Sequence, residues 1–219
     1  MRHYLKFFGY LVLALWVSVA QAGSYEDFFI AVKRDDARTI RTLLERGFDP
    51  NALDPNGTHG LFTAVRDGSW KAAEVLIAWP KTHVEWRSPK DESPLMIAAL
   101  KGQLDIVRKL IARDADVNKP GWAPLHYAAT GGHLEVIELL LDEHAFIDAE
   151  SPNKTTPLMM AAQYGTPAAV KLLLAAGADA NMRNALGLSA VDFALKANRP
   201  DAADMIAAAV RGLRPKGKW

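Results

Sequence analysis

Between Trp122 and Leu141 the chain reads WAPLHYAATGGHLEVIELLL, two short apolar-faced segments separated by a glycine break. Pro124, Leu125, Ala128 and Ala129 predict a first helix, with proline at the first helical position, where its missing N–H costs nothing. Gly132 ends that helix, because a left-handed residue there favours glycine. Leu134, Val136, Ile137, Leu140 and Leu141 then recur at roughly helical spacing and predict a second helix with one buried face. Neither helix can bury its face alone. Copies of the pair must therefore stack on either side, and the pattern should recur at a period of about 33 residues.

It recurs along most of the chain. Segments resembling PLHYAATGG open at Asp27, Gly60, Pro94, Pro124, Pro157 and Ala190, at steps of 33, 34, 30, 33 and 33 residues. Four residues after each opening stands an alanine, at Ala31, Ala64, Ala98, Ala128, Ala161 and Ala194. A small side chain at that depth is what close packing of neighbouring helices requires. Eight residues after each opening stand Asp35, Gly68, Gly102, Gly132, Gly165 and Asn198, all residue types that tolerate left-handed backbone and so predict a helix break.

These coincident registers resemble the ankyrin-repeat family from about Ser24 to about Arg211. The resemblance implies an all-α ankyrin-repeat solenoid, built of helix-turn-helix repeats with short hairpin loops, with about six repeats in one domain. Its expected boundaries are a capping repeat at 23–53, repeats at 54–87, 88–117, 118–150 and 151–183, and a second cap at 184–211. The end copies diverge most, as expected of caps with one face in water. In the family the second helix usually ends in Gly-Ala-Asp-x-Asn. Gly177 to Asn181 match this and Gly47 to Asn51 come close, whereas Pro80, Asp114 and His144 replace the glycine and predict distorted turns. The fourth repeat is three residues short, so the hairpin Lys119-Pro120-Gly121-Trp122 should be tight.

Composition and charge add the compartment. Arg2 and Lys6 precede an uncharged apolar run from Phe7 to Ala20, and Ala20-Gln21-Ala22 has the small-x-small pattern of a cleavage site, so residues 1–22 read as a secretory signal peptide. A retained anchor is the weaker reading, since a bilayer span needs about 20 residues. Without Arg2 and Lys6 the 26 basic side chains fall to 24 against 25 acidic ones, a balance that points to neither nucleic acid nor an anionic lipid surface. The absence of cysteine excludes disulfides, thiol chemistry and zinc-thiolate sites. An exported, cysteine-free repeat protein resembles bacterial periplasmic proteins, with secretion as the alternative. Residues 212–219 read as a basic flexible tail.

Catalytic chemistry finds little support. His59, His83, His126, His133 and His144 show no metalloprotease spacing. His126 stands at the histidine of the family's Pro-Leu-His signature, where the resemblance implies backbone hydrogen bonds that fix a hairpin, and His133 is likewise family-typical. Asp142, Glu143, His144 and Asp148 lie at a helix end, where such residues are solvated caps. No cofactor, metal or catalytic residue is assigned. Trp70, Phe62, Met96 and Met159 are expected in the core, and Trp79 and Trp86 against the irregular segment after Pro80.

Stacked repeats offer a concave surface made of hairpin tips and the open side of each first helix. By resemblance, the positions that contact partners include Arg66, Lys90, Leu100, Lys101, Trp122, Asn153, Tyr164 and Leu186. Large aromatic and arginine side chains concentrate interface energy, which singles out Trp122, Tyr164, Leu100 and Arg66. Trp122 could instead fold over the shortened hairpin. The expected function is non-catalytic binding of a protein partner by a monomer, with no nucleic acid and no stable membrane insertion after cleavage. Small exported bacterial ankyrin proteins of this kind are in some cases linked to protecting a catalase against oxidative stress, or to neutralising toxic effectors, and the resemblance implies one of these uses.

Overall fold

The computed structural model describes residues 23–213, so the signal-like segment and the basic residues from 214 onward lie outside the described part. Twelve helices occur among the described residues, in six consecutive pairs. They are α1 (residues 23–33) and α2 (Ala37–Glu45), α3 (Gly60–Asp67) and α4 (Trp70–Ala78), and α5 (Pro94–Leu100) and α6 (Leu104–Ile111). The pairs α7 (Pro124–Gly131) and α8 (Leu134–Asp142), α9 (Pro157–Gln163) and α10 (Pro167–Ala175), and α11 (Ala190–Lys196) and α12 (Pro200–Leu213) follow. Helix α12 takes in Gly212 and Leu213, the first two residues of the stretch read from the sequence as a tail. The described residues divide into two compact units, the first ending at His83 and the second beginning at Val84.

The first helix of each of the last five pairs starts at a shared device. The residue before it is extended and serves as N-cap: His59, Ser93, Ala123, Thr156 and Ser189. Ser93, Thr156 and Ser189 each accept from the N–H three residues on, at 3.3, 3.4 and 3.3 Å. The side chain at that third position returns an acceptor to the cap's own N–H. Asp192 does so at 2.7 Å, His126 through Nδ1 at 3.1 Å, and Met96 and Met159 through their sulfurs at 3.3 and 3.5 Å. Both methionines are also core residues, as is Phe62. This is a capping box with unusual acceptors, and it satisfies helix-end donors that burial would otherwise leave unpaired.

In the second unit α5, α7, α9 and α11 stack as one row, with α6, α8, α10 and α12 as a second row behind them. The alanines four residues into each first helix are all buried, Ala98, Ala128, Ala161 and Ala194 in this unit and Ala31 and Ala64 in the other. Branched side chains from the second helices, such as Ile106, Val107, Val136, Ile137, Val170 and Leu173, close the core.

Within each unit, polar side chains tie neighbouring repeats together at fixed registers. At the start of the second helix His133 Nε2 donates to Leu100 O at 2.9 Å, and Arg199 Nη1 donates to Ala161 O and Ala162 O at 3.1 Å each. Both supply donors to carbonyls at a helix C-terminus. At the base of the hairpin, Asn51 Nδ2 donates to Lys81 O at 2.8 Å and Asn118 Nδ2 to His144 O at 2.7 Å. At the same register Glu85 accepts from Asp116 N–H at 2.7 Å, and Asp148 from Asp179 N–H at 3.0 Å.

The turns correct three expectations. At the helix break Asp35, Gly68, Gly102, Gly132 and Asn198 have positive φ, but Gly165 does not. Gly165 is instead required by close approach, since a Cβ there would lie 2.3 Å from Ala129 O and 2.9 Å from Ala161 Cα. The turns at Asp114 and His144 are not distorted either. Both residues take the left-handed conformation themselves, at φ 60° and 65°, and keep the hydrogen bonds made at Gly47 and Gly177. Only Pro80, whose ring forbids positive φ, departs, and Trp79 before it is extended. Trp70 is not core. It is half-buried at the first position of α4, over Gly68, because the first side chain of each second helix points away from the packed face, as exposed Leu134 also shows.

The two kinds of glycine position predict opposite responses. Gly165→Ala should destabilise by about 2–3 kcal/mol, because backbone atoms oppose the new methyl. His144→Gly should raise stability by up to about 1 kcal/mol as left-handed strain is relieved. Urea denaturation followed by circular dichroism separates the two.

Candidate functional site

In the second unit the hairpin tips and the open side of the first helices enclose a groove of about 330 Å³. Its rim carries Trp122, Tyr164 and Leu186, and its floor Met160, Leu188 and Phe193. Tyr164 is 59% and Leu186 77% exposed, so with Trp122 they put a cluster of large apolar side chains at the groove's edge.

Hairpin chemistry sets the rim. In the tips around Asn153 and Asn184 a short polar side chain folds back onto backbone N–H groups, a local turn that these residue types favour. Asn184 Oδ1 accepts from Leu186 N–H and Leu188 N–H, both at 3.0 Å, which holds Leu186 at the apex. Asn153 Oδ1 accepts from Ser151 Oγ at 2.6 Å and Thr155 N–H at 3.3 Å, and Asn153 O takes Ala185 N–H at 2.9 Å, joining adjacent tips. Tyr164 caps α9 with φ −122°, immediately before the constrained Gly165.

The shortened hairpin is held from inside. Lys119 is only 5% exposed, and its ammonium donates to Pro120 O at 3.1 Å and Trp122 O at 3.3 Å while pairing with the Asp91 carboxylate. Nearby, Arg87 bridges Glu85 at 2.9 Å, Asp116 at 3.6 Å and Asp91 at 3.7 Å. Burial pushes the Glu85 carboxyl up, against the opposing pull of the Asp116 N–H and Arg87. Trp122 thus need not fill the space of the missing residues. It is half-buried, with its ring edge-on to His126 at 5.2 Å and 73°, and lines the groove.

Of the residues singled out in the sequence, Trp122, Asn153, Tyr164 and Leu186 come together here. Lys90, Leu100 and Lys101 belong to the same unit but do not line the groove, Lys90 and Lys101 being exposed and Leu100 half-buried. Arg66 lies in the first unit on α3, where it pairs with its neighbour Asp67 at 2.8 Å, so its charge is largely answered locally. Met160, Phe193 and Asn184 escaped the sequence reading. The signal was present for Phe193, three residues into α11, yet aromatic residues at helical spacing read first as core.

Histidine has a structural role. His126 is fully buried, with Nδ1 accepting from Ala123 N–H and Nε2 donating to Thr155 O at 2.9 Å in the next hairpin. Those partners fix one neutral tautomer and leave no nitrogen to act as a base. His59 Nδ1 likewise accepts from Leu61 N–H at 3.2 Å, with Nε2 3.1 Å from Asn51 Oδ1. Asp142, Glu143 and His144 are exposed at the end of α8, and no group of three metal-ligating side chains occurs among the described residues.

Comparison with known proteins agrees with this geometry. The family described as ankyrin repeats (3 copies) matches residues 28–120, 80–151, 95–184 and 125–213 in overlapping registers. The chain belongs to the ankyrin-repeat family. Similar proteins include the Ankyrin repeat and SAM domain-containing protein 6 of Mus musculus, 35% identical over 127 residues, which are 56% of this chain and 14% of the relative. The Nuclear factor NF-kappa-B p105 subunit of Gallus gallus is 30% identical over 71% of this chain and 16% of its own length. Rabankyrin-5 of Homo sapiens is 27% identical over 65% of this chain and 13% of its own. The chain thus spans about a seventh of these relatives, whose other parts have no counterpart in the match. Ankyrin repeats generally mediate protein–protein binding, and this chain carries such a binding module.

The buried rings make the fold acid-sensitive. Burial, with a smaller contribution from His83, lowers His59 to about 4, and burial also lowers His126 against the opposing pull of its backbone partners. Below about 6.5 the unfolded chain takes up protons that the folded rings refuse, so stability falls as pH drops from there and levels off below the folded value. For His59 the loss between 6.5 and about 4 amounts to about 3 kcal/mol. Urea midpoints measured across that range should fall on acidification, and His126→Gln should lower stability at neutral pH while flattening the slope. Lys119→Met, which strands two carbonyls and Asp91, should cost about 2 kcal/mol and shift the tryptophan fluorescence of the fold.

Proposed function

We propose that this protein is a non-catalytic binding module that is exported to the bacterial periplasm and holds a protein partner in the groove rimmed by Trp122, Tyr164 and Leu186. The observation that carries the reading is that rim. Leu186 stands at a tip that Asn184 fixes through two backbone N–H groups, and Leu186 and Tyr164 are both largely exposed beside Trp122. A groove preformed in this way orders little on binding, so its few anchors need not offset a large entropy loss. His126 counts against catalysis at this site, since both ring nitrogens are committed to backbone. Export rests on Arg2, Lys6, the apolar run from Phe7 to Ala20 and the Ala20-Gln21-Ala22 site. The module acts as a monomer, in stress protection or in neutralising a toxic effector by its resemblance to small exported bacterial ankyrin proteins, and the near-neutral charge of the exported chain leaves nucleic acid and anionic membranes without an electrostatic handle.

The test uses the purified protein on periplasmic extract, beside Trp122→Ala combined with Tyr164→Ala, after circular dichroism and melting show the two equally folded. A protein held by the wild type and released by the variant is expected. Equal retention by both would move binding off the groove, and cytoplasmic fractionation of the untagged chain would remove the export assignment.

A further inference from the structure

The groove is lopsided in its hydrogen-bonding chemistry. Asn184 is 6% exposed, and both backbone N–H groups of its tip occupy its Oδ1, so the carboxamide is locked with its NH2 as the remaining group. Asn153 is committed in the same way through Oδ1, to Ser151 and Thr155. Neither NH2 group donates to a described residue. Lys196, at the end of α11, lines the same groove; the Asp192 carboxylate one turn back feels its charge but makes no close ion pair with it, and no carboxylate lines the groove. The Tyr164 hydroxyl adds one more donor without a protein acceptor among the described residues. An amide whose carbonyl is already taken can only donate, and an ammonium has no acceptor at all. Gln163, Thr155 and the Tyr164 hydroxyl can donate or accept, so the site presents apolar walls and polar groups weighted toward donors by Lys196, Asn153 and Asn184, a balance that favours an acceptor-rich, negatively charged guest.

Resting on the binding role proposed above, we propose that this groove takes an extended peptide segment of its partner in which an apolar anchor side chain stands close to an aspartate or glutamate. The anchor packs between Trp122, Tyr164 and Leu186 over Met160 and Phe193. The carboxylate meets Lys196 and the amide NH2 groups of Asn153 and Asn184. An extended strand suits the dimensions: side chains that alternate along it place an apolar and a charged group on neighbouring positions of one face. Charge complementarity of this sort acts on specificity and association rate as much as on affinity. A phosphate polymer fits poorly, because one lysine among the lining residues supplies too little positive charge.

The test is a selection of random peptides displayed on phage against the purified protein, followed by titration of the enriched peptides by fluorescence polarisation. Enriched sequences should pair an aromatic or branched apolar residue with a nearby acid, and raising the salt should weaken them. Lys196→Glu should reduce their affinity about tenfold and Leu186→Ser by a similar factor, while repeating the selection on Lys196→Glu should enrich basic peptides in place of acidic ones. Peptides lost on Leu186→Ser but lacking acids and indifferent to Lys196→Glu would overturn the acidic partner while leaving the groove as the binding site. Peptides bound equally by Leu186→Ser and by the Trp122, Tyr164 double variant would overturn the groove itself. Failure of any sequence to enrich, or self-association of the protein that Leu186→Ser abolishes, would also overturn the proposal, the latter by making a second copy the occupant.

Discussion

The close approach of consecutive first helices is the constraint on which the second unit rests. Each contact is made through an alanine with no accessible surface, and at Gly165 the neighbouring backbone leaves no room even for a methyl group. Such spacing lets the second helices reach over and bury their branched side chains against the same layer. A repeat of about 33 residues cannot enclose a core of its own, so stability accrues at the interfaces between neighbours. A larger side chain at one alanine register would therefore weaken two interfaces at once.

Close approach also brings helix ends and hairpins of adjacent repeats within hydrogen-bonding range, and the chain exploits this with varied chemistry at fixed positions. The ladder at the hairpin base uses Asn51, Glu85, Asn118 and Asp148 in turn. The link to the preceding helix end uses His133 in one repeat and Arg199 in another. What matters at each register is the capacity to donate or accept toward a given backbone group, and several residue types meet that need. Buried histidine is the costly choice among them, because the neutral ring it requires is disfavoured in acid.

Rigid backing is what allows the groove to expose apolar side chains. Leu186 is anchored by its own neighbourhood, through the Asn184 carboxamide that holds its tip. Trp122 gains its place from Lys119, whose buried ammonium substitutes for the missing hairpin residues. The binding surface is thus a by-product of how each tip and helix end satisfies its own polar groups, and the donors left over define what it can recognise.

Helix pairs, their period, the alanine register and the membership in a repeat family were legible in the sequence, because helical periodicity and small-residue spacing are local and recur six times. The structural role of His126 was legible for the same reason, from its place in a repeated signature. Four of the candidate contact residues also proved to share one groove, since repeat position predicts which way a side chain faces. Tertiary structure alone decided the rest. Whether Gly165 is needed for its φ or for its missing Cβ depends on where Ala129 O lies, and whether Arg66 is free depends on the rotamer that brings it to Asp67. Trp70 left its expected place, and Phe193 entered the groove, for a similar reason: spacing along a helix fixes a side chain's angle, but only the neighbouring helix determines whether anything covers it.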